Sequence, residues 1–212
     1  MISLRLIPCA ATALALLSGG VAGAASSSSV AKGCTVIIDP SGDATDASMG
    51  PVAPPPGAPA PPNDDYLDLL SAGLASDGEF VTTTLRMKAM GLDVTSPHRS
   101  FWTVYFQVGA QKLSLHASTS PVGLWNYWWF NEATGDNGDA TGTVDTARNE
   151  IRMTAPAEAL SPLLRRGAKL TAINVRTGRF LPIGLGAFMT VDSAATEKPH
   201  VVGSRSCLKP VR

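Results

Sequence analysis

"EFVTTTLRMKAM" (residues 79–90) decides the fold class. In an extended chain Val81, Thr83, Leu85 and Met87 fall on one side, and Phe80, Thr82, Thr84, Arg86 and Lys88 on the other. A period of two, rich in β-branched residues, belongs to a half-buried strand and not to a helix. The same alternation recurs downstream. "FWTVYFQV" (101–108) sets Trp102, Val104, Phe106 and Val108 against Phe101, Thr103, Tyr105 and Gln107. "QKLSLHA" (111–117) sets Leu113 and Leu115 against Lys112, Ser114 and His116. Turn signals such as "SDG", "GAQ" and "TARN" separate these runs, and "VGAQ" (108–111) reads as a hairpin. Only "PAEALSPLLRRG" (156–167) reads as helix, with Pro156 suited to a first turn and Gly167 to a terminator. The expectation is an all-β chain: one antiparallel β-sandwich over residues 34–212, with jelly-roll or immunoglobulin-like layering and one short helix.

The beginning of the chain reads as an export signal. Arg5 precedes the apolar run "LIPCAATALALL" (6–17), and "SGGVAGA" (18–24) places Ala22 and Ala24 as an A-x-A cleavage site. The run is shorter than the ~20 residues of a spanning helix. A secreted protein without a membrane span in its mature form is expected, with a signal peptide over 1–24 and a flexible leader, "ASSSSVAKG", over 25–33. That leaves Cys34 and Cys207. In an oxidising compartment such a pair is most simply a disulfide, which by the chain-entropy argument restricts the unfolded chain by roughly 4–5 kcal/mol. "MGPVAPPPGAPAPPN" (49–63) cannot form a ladder, because proline has no N–H, and reads as an exposed proline-rich loop. Lys and Arg number 17 and so do Asp and Glu, and "LRRG" (164–167) is the densest basic patch. A nucleic-acid binder needs a basic face, so that class falls away.

Four segments carry a resemblance: "CTVIIDPSGDA" (34–44), "YLDLLSAGLASDGEFVTTTLRM" (66–87), "GTVDTARNEIRMTAP" (142–156) and "VDSAATEKPHVVGSRSC" (191–207). Their ordered combination resembles a group of secreted actinobacterial β-sandwich proteins, with an architecture similar to DOMON-like and family 9 carbohydrate-binding-module sandwiches. The resemblance spans most of the mature chain apart from the proline-rich insert. It implies a sandwich that binds sugar, binds haem or is purely structural, since a fold does not carry one function with it. It also implies structural calcium.

The aromatic stretch "LWNYWWFN" (124–131) holds three of the chain's four Trp. Trp125, Tyr127 and Trp129 share one face, and Leu124, Asn126, Trp128 and Phe130 the other. An exposed Trp125/Tyr127/Trp129 row would stack on the C–H faces of a polysaccharide, with Tyr105 or His116 on neighbouring strands extending it. The competing reading puts one face in the core and the other beneath "APPPGAPAPP" (53–62).

"DPSGDATD" (39–46) offers Asp39, Asp43 and Asp46, and "VDSA" (191–194) offers Asp192. If the two cysteines are bonded, these loops approach each other. Carboxylates and carbonyls in short loops suit calcium, which takes six to eight hard oxygens. "NDDYLD" (63–68) adds Asp64, Asp65 and Asp68. The competing reading is ordinary turn-forming Asp. "TGDNGDATG" (134–142) lacks the spacing and closing Glu of an EF-hand and reads as a polar hairpin tip. Haem ligation would need a Met and a His, but Met87 and Met153 fall at inward positions and His98 and His200 at no recognisable spacing from them. There is no G-x-S-x-G elbow and no H-E-x-x-H motif, and Glu132, Glu150 and Asp145 form no recognisable pair. The expected function is a secreted, non-catalytic binding module for a carbohydrate or cell-wall polymer. A structural or protein-interaction sandwich with buried aromatics is the alternative, and a haem-binding domain the third.

Overall fold

The computed structural model describes residues 34–44, 63–91, 99–120, 123–181 and 187–203. The expected signal peptide and leader, the proline-rich loop up to Pro62, Asp46, His98 and Cys207 lie outside the described residues, as does the side chain of Cys34.

The strands are β1 (Cys34–Ile38), β2 (Leu69–Ser76), β3 (Phe80–Met87), β4 (Arg99–Val108), β5 (Gln111–Thr119) and β6 (Trp125–Asn131), followed by β7 (Asn137–Asp139), β8 (Thr141–Asp145), β9 (Glu150–Pro156), β10 (Lys169–Leu181), β11 (Ala187–Thr196) and β12 (His200–Val201). All pairings are antiparallel. A five-stranded sheet runs β1-β2-β3-β9-β8, and a seven-stranded sheet runs β11-β10-β4-β5-β6-β7 with β12 beside β10. Among the described residues the chain crosses between sheets three times: from β3 to β4, from β7 to β8, and from β9 to β10. The expected β-sandwich is thus the observed architecture.

Alternation explains the layering. On β3, Val81, Thr83, Leu85 and Met87 are buried, and on β4 so are Trp102, Val104, Phe106 and Val108. Leu113, Leu115 and Ala117 of β5 join them, with Ile151 and Met153 of β9 opposite. Each such side chain removed from water contributes roughly 1.5–3 kcal/mol, which holds the two sheets face to face. Burial of Met87 and Met153 within this apolar layer makes them packing residues.

The turns follow their residues. Gly109, at φ 58°, closes the two-residue β4–β5 hairpin. The Asp77 carboxylate accepts the N–H groups of Glu79 and Phe80, both at 2.8 Å. Those amide donors hold its pKa below the usual carboxylate range. The expected helix over 156–167 is cut to α1 (Ala157–Leu160). Pro162 disfavours helical geometry in the residue before it, and Ser161 is accordingly extended at φ −169°, ψ 135°. Among the described residues no helix is long and apolar enough to cross a membrane.

Candidate functional site

Register decides which aromatics meet solvent. β6 pairs with β5 so that Leu115 lies opposite Trp129 and His116 opposite Trp128. Leu115 is fully buried, so the row Trp125, Tyr127, Trp129 points into the sandwich with it. Trp129 is 7% exposed, while Trp125 and Tyr127 pack against the core from its edge. Trp125 stacks on the buried Trp102, with ring centroids 4.9 Å apart, and on Tyr127 at 6.1 Å. Tyr66 closes the other side of Trp102 edge-on at 5.2 Å. The faces of Trp125, Tyr127 and Trp129, expected as a ligand platform, are engaged with one another and with the core.

Two glycines complete this interior cluster. A Cβ on Gly138 of β7 would lie 2.8 Å from the Trp129 indole, and one on Gly142 of β8 would lie 2.2 Å from the Tyr127 ring. The stretch expected to be a polar hairpin tip therefore contains the small residues that admit two aromatic rings.

The opposite face of the seven-stranded sheet carries the candidate groove. Tyr105 and His116, both expected as extensions of a ligand row, lie there with Trp128, Phe130, Phe101 and Phe180. Arg99 and Arg176 lie at its rim, and the groove encloses about 680 Å³. That volume falls within the range of small-molecule sites. The side chains form a continuous series. Arg176 sits 5.4 Å over the Tyr105 ring, Tyr105 meets His116 edge-on at 6.2 Å, and His116 stacks on Trp128 at 4.9 Å with planes 2° apart.

Both His116 nitrogens are engaged: Nδ1 lies 3.1 Å from Thr103 Oγ1 and Nε2 lies 2.8 Å from Ser114 Oγ. Burial among rings and hydroxyls pushes its pKa down to about 4, so the imidazole is neutral near pH 7. Ser114, its closest hydroxyl partner, is 1% exposed.

The second candidate is acidic. Carboxylate oxygens of Asp39, Asp43 and Asp192 lie within 4.8 Å of one another. Asp39 and Asp43 flank the turn after β1, where Gly42 has φ 95°, whereas Asp192 comes from β11 in the other sheet. The group therefore bridges the two layers where β1 packs against β11. Asp192 accepts the N–H of Leu69 at 2.8 Å, and the Gly42 N–H donates to Asp68 Oδ2 at 2.8 Å. Asp68 is fully buried, and among the described residues its Oδ1 has no hydrogen-bond partner; nor has the enclosed Oδ2 of Asp39. Burial, with the charges of Asp192 and Asp43 next, pushes the Asp39 pKa up to about 7, and burial likewise raises that of Asp192.

The other acids of this region are occupied otherwise. Asp64 accepts from Arg179 Nε at 3.0 Å, and Asp65 pairs with Lys88 at 2.8 Å. The expected Asp39/Asp43/Asp192 set is thus brought together, while Asp64 and Asp65 are tied to cations. His200 approaches Ser76 Oγ at 3.3 Å and lies away from both sites.

Compared with known proteins, the chain matches no family model and no curated sequence.

Proposed function

We propose that this protein is a secreted, non-catalytic binding module that takes a carbohydrate or cell-wall polymer along the outer face of its seven-stranded sheet. The observation that carries this is the aromatic series Tyr105, His116 and Trp128 lining a groove of about 680 Å³. An aromatic-lined groove with a few fixed polar groups is the usual form of a ligand site. It supports binding over catalysis, because His116 is a weak base at a pKa of about 4 and its Ser114 partner is buried. The resemblance to carbohydrate-binding-module sandwiches supports the same reading, with the ligand face moved from Trp125 to Trp128.

The test is affinity electrophoresis of the purified mature protein in gels containing a panel of polysaccharides, beside Trp128→Ala and Trp125→Ala. Retardation lost in Trp128→Ala and kept by a folded Trp125→Ala supports the groove. A Trp128→Ala protein retarded as strongly as wild type refutes it.

A second site accompanies this reading. Asp39, Asp43 and Asp192 hold a structural cation, with calcium as the fitting ion because the donors are hard oxygens. Support comes from the buried oxygens of Asp39 and Asp68 that have no partner among the described residues, since like charges this close need a proton or a cation between them. Such an ion would pin β11 to the turn after β1. A melting temperature unchanged by calcium and by chelator would remove it.

The export signal and a Cys34–Cys207 disulfide complete the proposal. Thiol alkylation followed by mass measurement tests the bond: no labelling without reductant and two labels after reduction are expected of the mature chain.

A further inference from the structure

We infer that the groove selects an anionic glycan, whose acid groups meet Arg176 and Arg99 while its sugar rings lie along Trp128. This rests on the binding reading above and adds the charge class of the ligand.

The first observation is charge. Among the described residues that line the groove stand two guanidinium groups and no carboxylate. This is not general basicity, since cationic and anionic side chains number 17 each. Three cationic side chains outside the groove pair with carboxylates: Arg179 with Asp64, Lys88 with Asp65, Arg148 with Asp145. Arg176 instead lies over the Tyr105 ring at 5.4 Å. A cation–π contact fixes the guanidinium without using its N–H donors, which form a fork matched to a carboxylate or phosphate.

The second observation is the arrangement. Arg176, Thr103, His116 and Trp128 occupy consecutive register positions across β10, β4, β5 and β6. Three strand spacings separate the ends of this row, about 14 Å, which suits a stretch of chain and not a single sugar. The row is polarised, because Asp139 of β7 registers with Trp128 at the far end. His116 covers one face of Trp128, so a sugar meets the ring edges and the other face. Aromatic edges carry the positive part of the ring quadrupole and reinforce the preference for an anion. The Arg side chains are exposed, so salt will screen their contribution.

The test compares matched polymers by affinity electrophoresis and calorimetry: polygalacturonate against its methyl ester, and a phosphomannan against neutral mannan. The first pair reads carboxylate and the second phosphate. The proteins are wild type, Arg176→Gln and Arg99→Gln, each checked by its melting curve. We expect at least one acidic polymer to bind at least about tenfold more tightly than its neutral counterpart, the scale of a charge-assisted hydrogen bond. Arg176→Gln should remove most of that preference, as should high salt. Equal binding of acidic and neutral polymers overturns the inference and leaves the binding reading standing. Acidic preference unchanged in both Arg variants overturns it as well. No binding to any polymer of either class sinks both.

Discussion

His116 lies flat against Trp128, with ring centroids 4.9 Å apart and planes within 2°. The contact joins β5 to β6 on the outer face of the larger sheet and makes one wall of the groove from two strands. It also explains why the imidazole stays neutral: a ring pressed against an indole and hydrogen-bonded to Thr103 and Ser114 has lost much of the water that would solvate a cation.

That burial has a sign in the pH dependence of stability. The folded pKa of His116, about 4, lies below the ordinary 6.5, so between these values the unfolded chain binds the proton and the folded chain does not. Stability from this group is therefore fully present above about pH 6.5 and is lost as pH falls toward 4. His200 acts in the same direction, also through burial. The charged group nearest the imidazole in the ring series is Arg176, across Tyr105. Denaturant titrations at pH 7.5 and 4.5 should show a smaller loss for His116→Gln than for wild type. An identical loss in the two proteins would mean that His116 does not titrate as stated.

Trp128 and Trp129 adjoin in sequence and should behave oppositely. Trp129→Ala empties part of the interior and is expected to cost about 3–5 kcal/mol. Trp128→Ala should cost less, because its ring is only half-buried, yet it should abolish polymer retardation. Chemical denaturation and affinity electrophoresis on both variants check this. Comparable stability losses would contradict the face assignment.

The acidic cluster makes a prediction that changes sign with calcium. Without a cation, the raised Asp39 pKa means that the folded protein holds the proton more tightly, so stability falls as pH rises from about 3.8 toward about 7. Asp39→Asn removes that repulsion and should raise the melting temperature in chelator at pH 8. In millimolar calcium the same variant should melt below wild type, because a ligand has been lost. A variant that shifts the melting temperature equally in both conditions would show that no cation is held there.

Gly138→Ala tests the interior aromatics from the opposite side. The added Cβ would meet the indole of the buried Trp129 at 2.8 Å, so the ring or β7 must move. Overpacking of this kind costs about 1–3 kcal/mol. Gly135→Ala is the comparison: nothing lies within 4 Å of its Cβ, and its φ of 79° gives a purely backbone penalty. The two variants should differ in near-ultraviolet circular dichroism, with only Gly138→Ala altering the Trp signal.

Much of the architecture is legible in short stretches because backbone pleating imposes a period of two. Val81, Thr83, Leu85 and Met87 could be assigned to the core before any partner strand was known. The end of the helix was equally local: Gly167 suits a terminator, but Pro162 already stops the helix at Leu160. Asp39, Asp43 and Asp192 were legible as a donor set from their chemistry, since Asp in a Gly-containing turn suits a hard cation. Their meeting point was not, because it depends on β11 packing beside β1 across the two sheets.

The amino-acid sequence by itself determined an all-β chain, its inward rows on β3, β4 and β5, and the acids able to form a cation site. Tertiary structure alone decided which side of "LWNYWWFN" faces out. Both of its faces are aromatic, so alternation offers no polar side to mark the solvent. The choice came from pairing Trp129 with the buried Leu115, and a register shifted by one residue would have exchanged the faces. The same pairing set Trp128 beside His116 and brought both into line with Arg176, from a strand far downstream in sequence.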